Sequence, residues 1–69
     1  MIEFDAVKFR DLIRRIEAEG WILLDARGGH RQYQHTMRHK LITIAGNLDD
    51  ELGPGTVDQI LIHCSLKKE

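Results

Sequence analysis

A chain of 69 residues allows one domain with a small core, since at this size only about 60% of the unfolded surface leaves water. That excludes a deep pocket for a large organic cofactor, so none is expected; the single cysteine excludes an internal disulfide, and no apolar run approaches the roughly 18 residues of a membrane span. The net charge of −1 hides a segregation: residues 26–48 contain no acid but hold Arg27, Arg31, Arg38 and Lys40 with His30, His35 and His39.

The opening Met-Ile-Glu-Phe-Asp has neither a basic leader nor an apolar run, so a cytoplasmic chain with no membrane partner is expected. From about residue 8 to 19, Phe9, Leu12, Ile13 and Ile16 recur at helical spacing and predict an amphipathic first helix. Asp5 is its candidate N-cap, and Gly20 ends it, because glycine takes the left-handed C′ conformation without a Cβ clash. Residues 21–27, Trp-Ile-Leu-Leu-Asp-Ala-Arg, are rich in strand formers and too short for a second helix. Gly28-Gly29 then marks a hairpin turn.

Residues 30–36 alternate as a second strand. His30, Gln32 and Gln34 share one face; Arg31, Tyr33 and His35 share the other. Tyr33 is the one large apolar group, so its face is expected to pack on the helices and leave His30 on the open face. Residues 37–39 make a turn, and 40–45 a third strand. A polar connector over 46–54 leads to a capping box, Thr56-Val57-Asp58-Gln59, which predicts the start of the second helix. That helix carries Val57, Ile60, Leu61 and Cys64 on one stripe, with Cys64 read as a small buried hydrophobe and His63 as structural. The order is helix, three-stranded antiparallel sheet, helix: an α+β layer pair, with two helices on one face and the other face free.

At this point an ordered set of motifs stands out. Glu19-Gly20-Trp21, then Gly-x-His-Arg-Gln-Tyr-x-His from Gly28, Thr43-Ile44-Ala45-Gly46, Asp49-Asp50-Glu51-Leu52, and Pro54-Gly55-Thr56 before Ile60-Leu61 together resemble the HicA toxins. These are small ribonuclease partners of type II toxin–antitoxin pairs. The likeness runs from about residue 8 to residue 66 and treats residues 1–69 as a single HicA-like domain. It implies a double-stranded-RNA-binding-domain-like α-β-β-β-α fold, cleavage of messenger RNA, and neutralisation by a HicB-type antitoxin. The family's catalytic histidine maps onto His30. Two departures are visible. The usual Gly-Ser-His is Gly28-Gly29-His30 here, which loses a hydroxyl but keeps the Gly29 N–H. The closing Gln-Ala-Gly-Leu is His63-Cys64-Ser65-Leu66, and Ser65 is a poorer C′ residue than glycine, so more fraying is expected there.

An imidazole is the one side chain that takes and returns a proton near neutral pH. RNA cleavage without a metal needs such a group at the ribose 2′-OH and the leaving 5′-oxygen, with donors for the phosphorane charge. His30 is the candidate acid–base residue. Arg27, Gly29, Arg31, Gln32, Arg38 and Lys40 are candidate RNA contacts, although strand parity turns Arg31 away from His30. The same parity separates His35 from His30, and for His35 and His39 a polar surface role is the plainer expectation. Trp21 and Tyr33 are expected in the core rather than stacked on bases. Asp49, Asp50 and Glu51 form a connector without a partner histidine, so no metal site is expected. A non-catalytic RNA-binding module, or a domain whose free face binds only a protein, stays open as an alternative.

Overall fold

A computed structural model describes residues 7–68. The elements are β1 (Val7–Lys8), α1 (Phe9–Ala18), β2 (Trp21–Arg27), β3 (His30–His35), β4 (Leu41–Ala45), β5 (Glu51–Leu52) and α2 (Pro54–His63). Strands β2, β3 and β4 form an antiparallel sheet in that order, with β3 central. The fold is α+β, as the pattern predicts.

The helical stripe of α1 is its buried face: Phe9, Leu12, Ile13 and Ile16 are all inside. Phe9, Ile13 and Ile16 meet Trp21, Tyr33, Ile44 and Cys64 in one cluster, so both helices lie on the same side of the sheet. Each such side chain contributes roughly 1.5–3 kcal/mol by leaving water, which makes this layer contact the main source of stability. The candidate cap Asp5 lies outside the described residues. The N–H groups of Phe9 and Arg10 instead donate to the carbonyls of Asp50 (2.8 Å) and Leu48 (3.2 Å). The 46–54 connector is thereby tied to the start of α1. It also contains β5, which pairs with β1 in a small second sheet that its turn-rich composition gave no reason to expect.

The predicted capping box is overturned. α2 begins at Pro54 with Gly53 as N-cap and no side-chain cap bond, which places Thr56 inside the first turn. Proline at the first helical position lacks an N–H that would be orphaned anyway and brings a helical φ, so it starts the helix earlier than Thr56 would. At the other end, Ser65 takes φ +61°. Its N–H donates to the Ile62 carbonyl and the Leu66 N–H to the Leu61 carbonyl, both within 2.9 Å. This is a Schellman closure built on serine where glycine is the unstrained residue. Ser65→Gly should therefore raise stability by about 1 kcal/mol, read as a higher urea midpoint with unchanged slope.

Burial pushes the Cys64 thiol up from 9.0 to about 11, with Lys40 opposing the shift. The folded chain thus holds this proton to higher pH than the unfolded chain does. The resulting stability is fully present below about pH 9 and is lost as pH rises through about 11. The urea midpoint should fall across that window, and Cys64→Ala should flatten the fall.

Candidate functional site

The Gly28-Gly29 turn takes φ +53° and +81°, the double left-handed geometry of a two-residue hairpin whose twist matches its strands. It delivers His30, exposed, at the first position of β3, paired to Arg27 on one side and Ala45 on the other. His30 Nδ1 lies 3.3 Å from the Gly28 carbonyl. A carbonyl only accepts, so this contact favours the tautomer with the proton on Nδ1 and leaves the Nε2 lone pair free.

Arg27 reaches the same face through a device that alternation alone does not show. The β2–β3 register slips between Leu23 and Asp25. One extra residue on β2 flips the remainder of the strand, so Asp25 and Arg27 stand on the open face with Gln32 and His30. Asp25 Oδ2 holds Arg27 Nε at 3.2 Å, leaving the outer N–H groups of the guanidinium to face solvent.

Gln32 shares the open face and is half-buried there. Arg31 points to the helix side, where its guanidinium donates to the Tyr33 hydroxyl at 3.4 Å. Burial raises the Tyr33 phenol above its ordinary value, and Arg31 opposes that shift. Around the turn lies an open cleft of about 330 Å³, lined by Arg27, Gly28, Gly29, His30 and Arg31 and, from beyond β4, by Gly46, Asn47 and Leu48. Sequence spacing did not single out Asn47. The pairing of His30 with Ala45 is what brings the segment after Ala45 to this turn. A more apolar groove of about 350 Å³ between β4 and α2 has His63 as its one titratable lining residue, so it offers less chemistry.

Arg38 and Lys40 do not join His30. They lie past the opposite end of β3, five residue steps or roughly 16 Å away along the strand. There they close the end of α2, with Lys40 Nζ donating to the His63 carbonyl at 2.9 Å and Arg38 to the Cys64 carbonyl at 3.5 Å. Cations suit the negative end of a helix dipole, which accounts for their direction. The acid-free window therefore does not form one continuous rim around His30.

His35 also departs from expectation: it is buried at 7% exposure rather than a surface residue. Its Nδ1 accepts from the N–H groups of Met37 (3.0 Å) and Arg38 (3.3 Å), and its Nε2–H donates to the Glu19 carbonyl at 2.8 Å. Those partners require the neutral ring. It also packs edge-on against Trp21 at 5.2 Å. A Cβ on Gly20 would come within 2.9 Å of His35 Nε2, so Gly20 is required by contact as well as by its φ of +102°. His39, exposed with φ +54°, belongs to the turn at this far end. Trp21 and Tyr33 are core residues, as expected.

A family model described as the HicA toxin of bacterial toxin–antitoxin matches residues 9–66. The chain belongs to the HicA toxin family. This HicA chain is thus a toxin of a toxin–antitoxin system, and its family implies an antitoxin partner. No curated protein and no solved structure matches it. No described helix is long and apolar enough to cross a membrane.

The two histidines should separate cleanly on substitution. His35→Ala removes a buried ring and strands its backbone partners, and should lower stability by about 2–4 kcal/mol. His30→Ala, at an exposed turn, should stay within about 0.5 kcal/mol of the parent. Urea denaturation followed by circular dichroism measures both.

Proposed function

We propose that this HicA toxin is a metal-independent endoribonuclease acting on messenger RNA, with His30 as its single acid–base residue. The observation that carries the reading is the exposed His30 imidazole, whose contact to Gly28 favours protonated Nδ1 and leaves Nε2 as a base on the open sheet face. Nε2 takes the ribose 2′-OH proton, and the 2′-oxygen attacks the adjacent phosphorus. The bond to the 5′-oxygen breaks, and the imidazolium returns its proton to that leaving oxygen. The products are a 2′,3′-cyclic phosphate and a 5′-hydroxyl. Arg27, across the hairpin from His30, faces the phosphorane charge, with the Gly29 N–H in the turn and Gln32 on β3 as further contacts.

One histidine fits this scheme better than a pair, because the backbone bonds of His35 occupy both of its ring nitrogens and His39 stands at the far end of β3. The scheme routes both proton transfers through His30 and asks for no metal. A HicB-type antitoxin covering the open face would bury His30 and meet Arg27 with its own acids. Arg38 and Lys40 lie outside the catalytic contact set in this reading, and Arg31 approaches the cleft only from the helix side.

Purified wild type should cleave a mixed RNA in EDTA to cyclic-phosphate and 5′-hydroxyl ends. His30→Ala should lose about 10²–10⁴-fold in rate with an unchanged circular dichroism spectrum. Equal cleavage by both proteins removes His30 from the mechanism. RNA retained by both without cleavage makes the domain a binding module.

A further inference from the structure

We propose that Asn47 is a further substrate-binding residue of the His30 site, its side-chain amide donating to a phosphate oxygen of the RNA strand. The inference deepens the ribonuclease reading and rests on it for the identity of the substrate. It begins with the backbone. Where β4 ends, the Gly46 N–H donates to the Gly29 carbonyl at 2.7 Å, bonding the exit of one strand to the hairpin turn beneath His30. Gly46 has φ +148°, and a Cβ there would meet the Phe9 ring at 3.4 Å, so the chain turns over the core at this point.

The next residue is Asn47. Its Oδ1 lies 3.8 Å from where a Cβ on Gly29 would stand, so the amide sits at the glycine turn.

That placement is held from both sides. The Asn47 N–H donates to Asp50 Oδ2 at 3.0 Å, and the Asp50 N–H donates back to the Asn47 carbonyl at 2.9 Å. The Asp50 carbonyl in turn accepts the first N–H of α1. A side chain on a loop tied to a helix start keeps its position relative to His30, which is what a substrate contact needs. Asn47 itself is exposed and lines the cleft.

The cleft's chemistry selects the ligand. Its lining contains Arg27, Arg31, His30 and two turn glycines, and no carboxylate side chain. Glycines without Cβ atoms let an anion approach the backbone closely. An amide on that rim can offer its Nδ2–H groups to a phosphate oxygen without adding charge. A nucleobase contact by the same amide is the rival, and it differs in one measurable way: it depends on which base is present.

The experiment uses the full chain as wild type, His30→Ala, Asn47→Ala and Asn47→Asp. Cleavage of RNA oligonucleotides is measured beside the affinity for the same strands with 2′-deoxyribose at the cleaved position, which cannot react. Asn47→Ala should weaken binding by roughly ten-fold, consistent with one hydrogen bond to a charged group, and by a similar factor whatever the base. Asn47→Asp should be worse than Asn47→Ala, and increasingly so at low salt, because a carboxylate then faces a phosphate. Unchanged affinity in both variants overturns the proposal, as does an aspartate no worse than alanine. A loss confined to one base overturns the phosphate contact in favour of base reading. If wild type binds these strands but cleaves no RNA, the ribonuclease reading fails while the binding comparison still decides the role of Asn47.

Discussion

The neutral imidazole of His35 is the contact on which the sheet's arrangement depends. It bonds the end of α1, the turn after β3 and, through its edge, the Trp21 ring. With both nitrogens occupied, the ring fixes which way β3 faces. His30 is five residues earlier on a strand of period two, so an inward His35 obliges His30 to point outward. The packing histidine thus sets the direction of the exposed one. The closeness of Gly20 to His35 Nε2 shows how little room that contact leaves.

β3 consequently has two chemically different ends. At its start, two glycines, Arg27 and His30 surround an open cleft with backbone N–H groups and basic side chains at its rim. At its finish, His35, Arg38 and Lys40 spend their hydrogen bonds on backbone groups of α1, the following turn and α2. Charge that looks continuous along the chain is divided in space between a surface that can meet an anion and a cap that closes a helix. A carbonyl-bound lysine is still a cation, but it stands roughly 16 Å along the strand from His30 and contributes little to that site through salt water.

The bulge in β2 completes the site. Strict alternation from Trp21, which is buried, would send Arg27 inward as well. The extra residue at the slip between Leu23 and Asp25 instead brings Asp25 and Arg27 to the open face, where they pair. An exposed ion pair of this kind adds little stability, about 0–1 kcal/mol. Its consequence is directional, holding one edge of the guanidinium while the rest faces outward beside His30.

Much was legible from residue order because periodicity and turn chemistry act locally. The stripe Phe9, Leu12, Ile13 and Ile16, the stop at Gly20, the Gly28-Gly29 turn and the alternation through Tyr33 each carry their own physical signature, and together they determine the α+β layers and the exposure of His30. The start of α2 is an exception, because Thr56 satisfies a capping pattern that Gly53 and Pro54 pre-empt. Other features depended on groups distant in the chain. His35 is a core residue because Glu19 and Trp21 come to meet it, and Lys40 is a helix cap because α2 ends beside it. Asn47 belongs to the cleft because β4 pairs with β3 in the register that sets Ala45 beside His30. Local sequence determines which way a backbone turns and which faces are apolar; only tertiary packing decides which polar groups find one another, since that depends on partners that the sequence keeps apart.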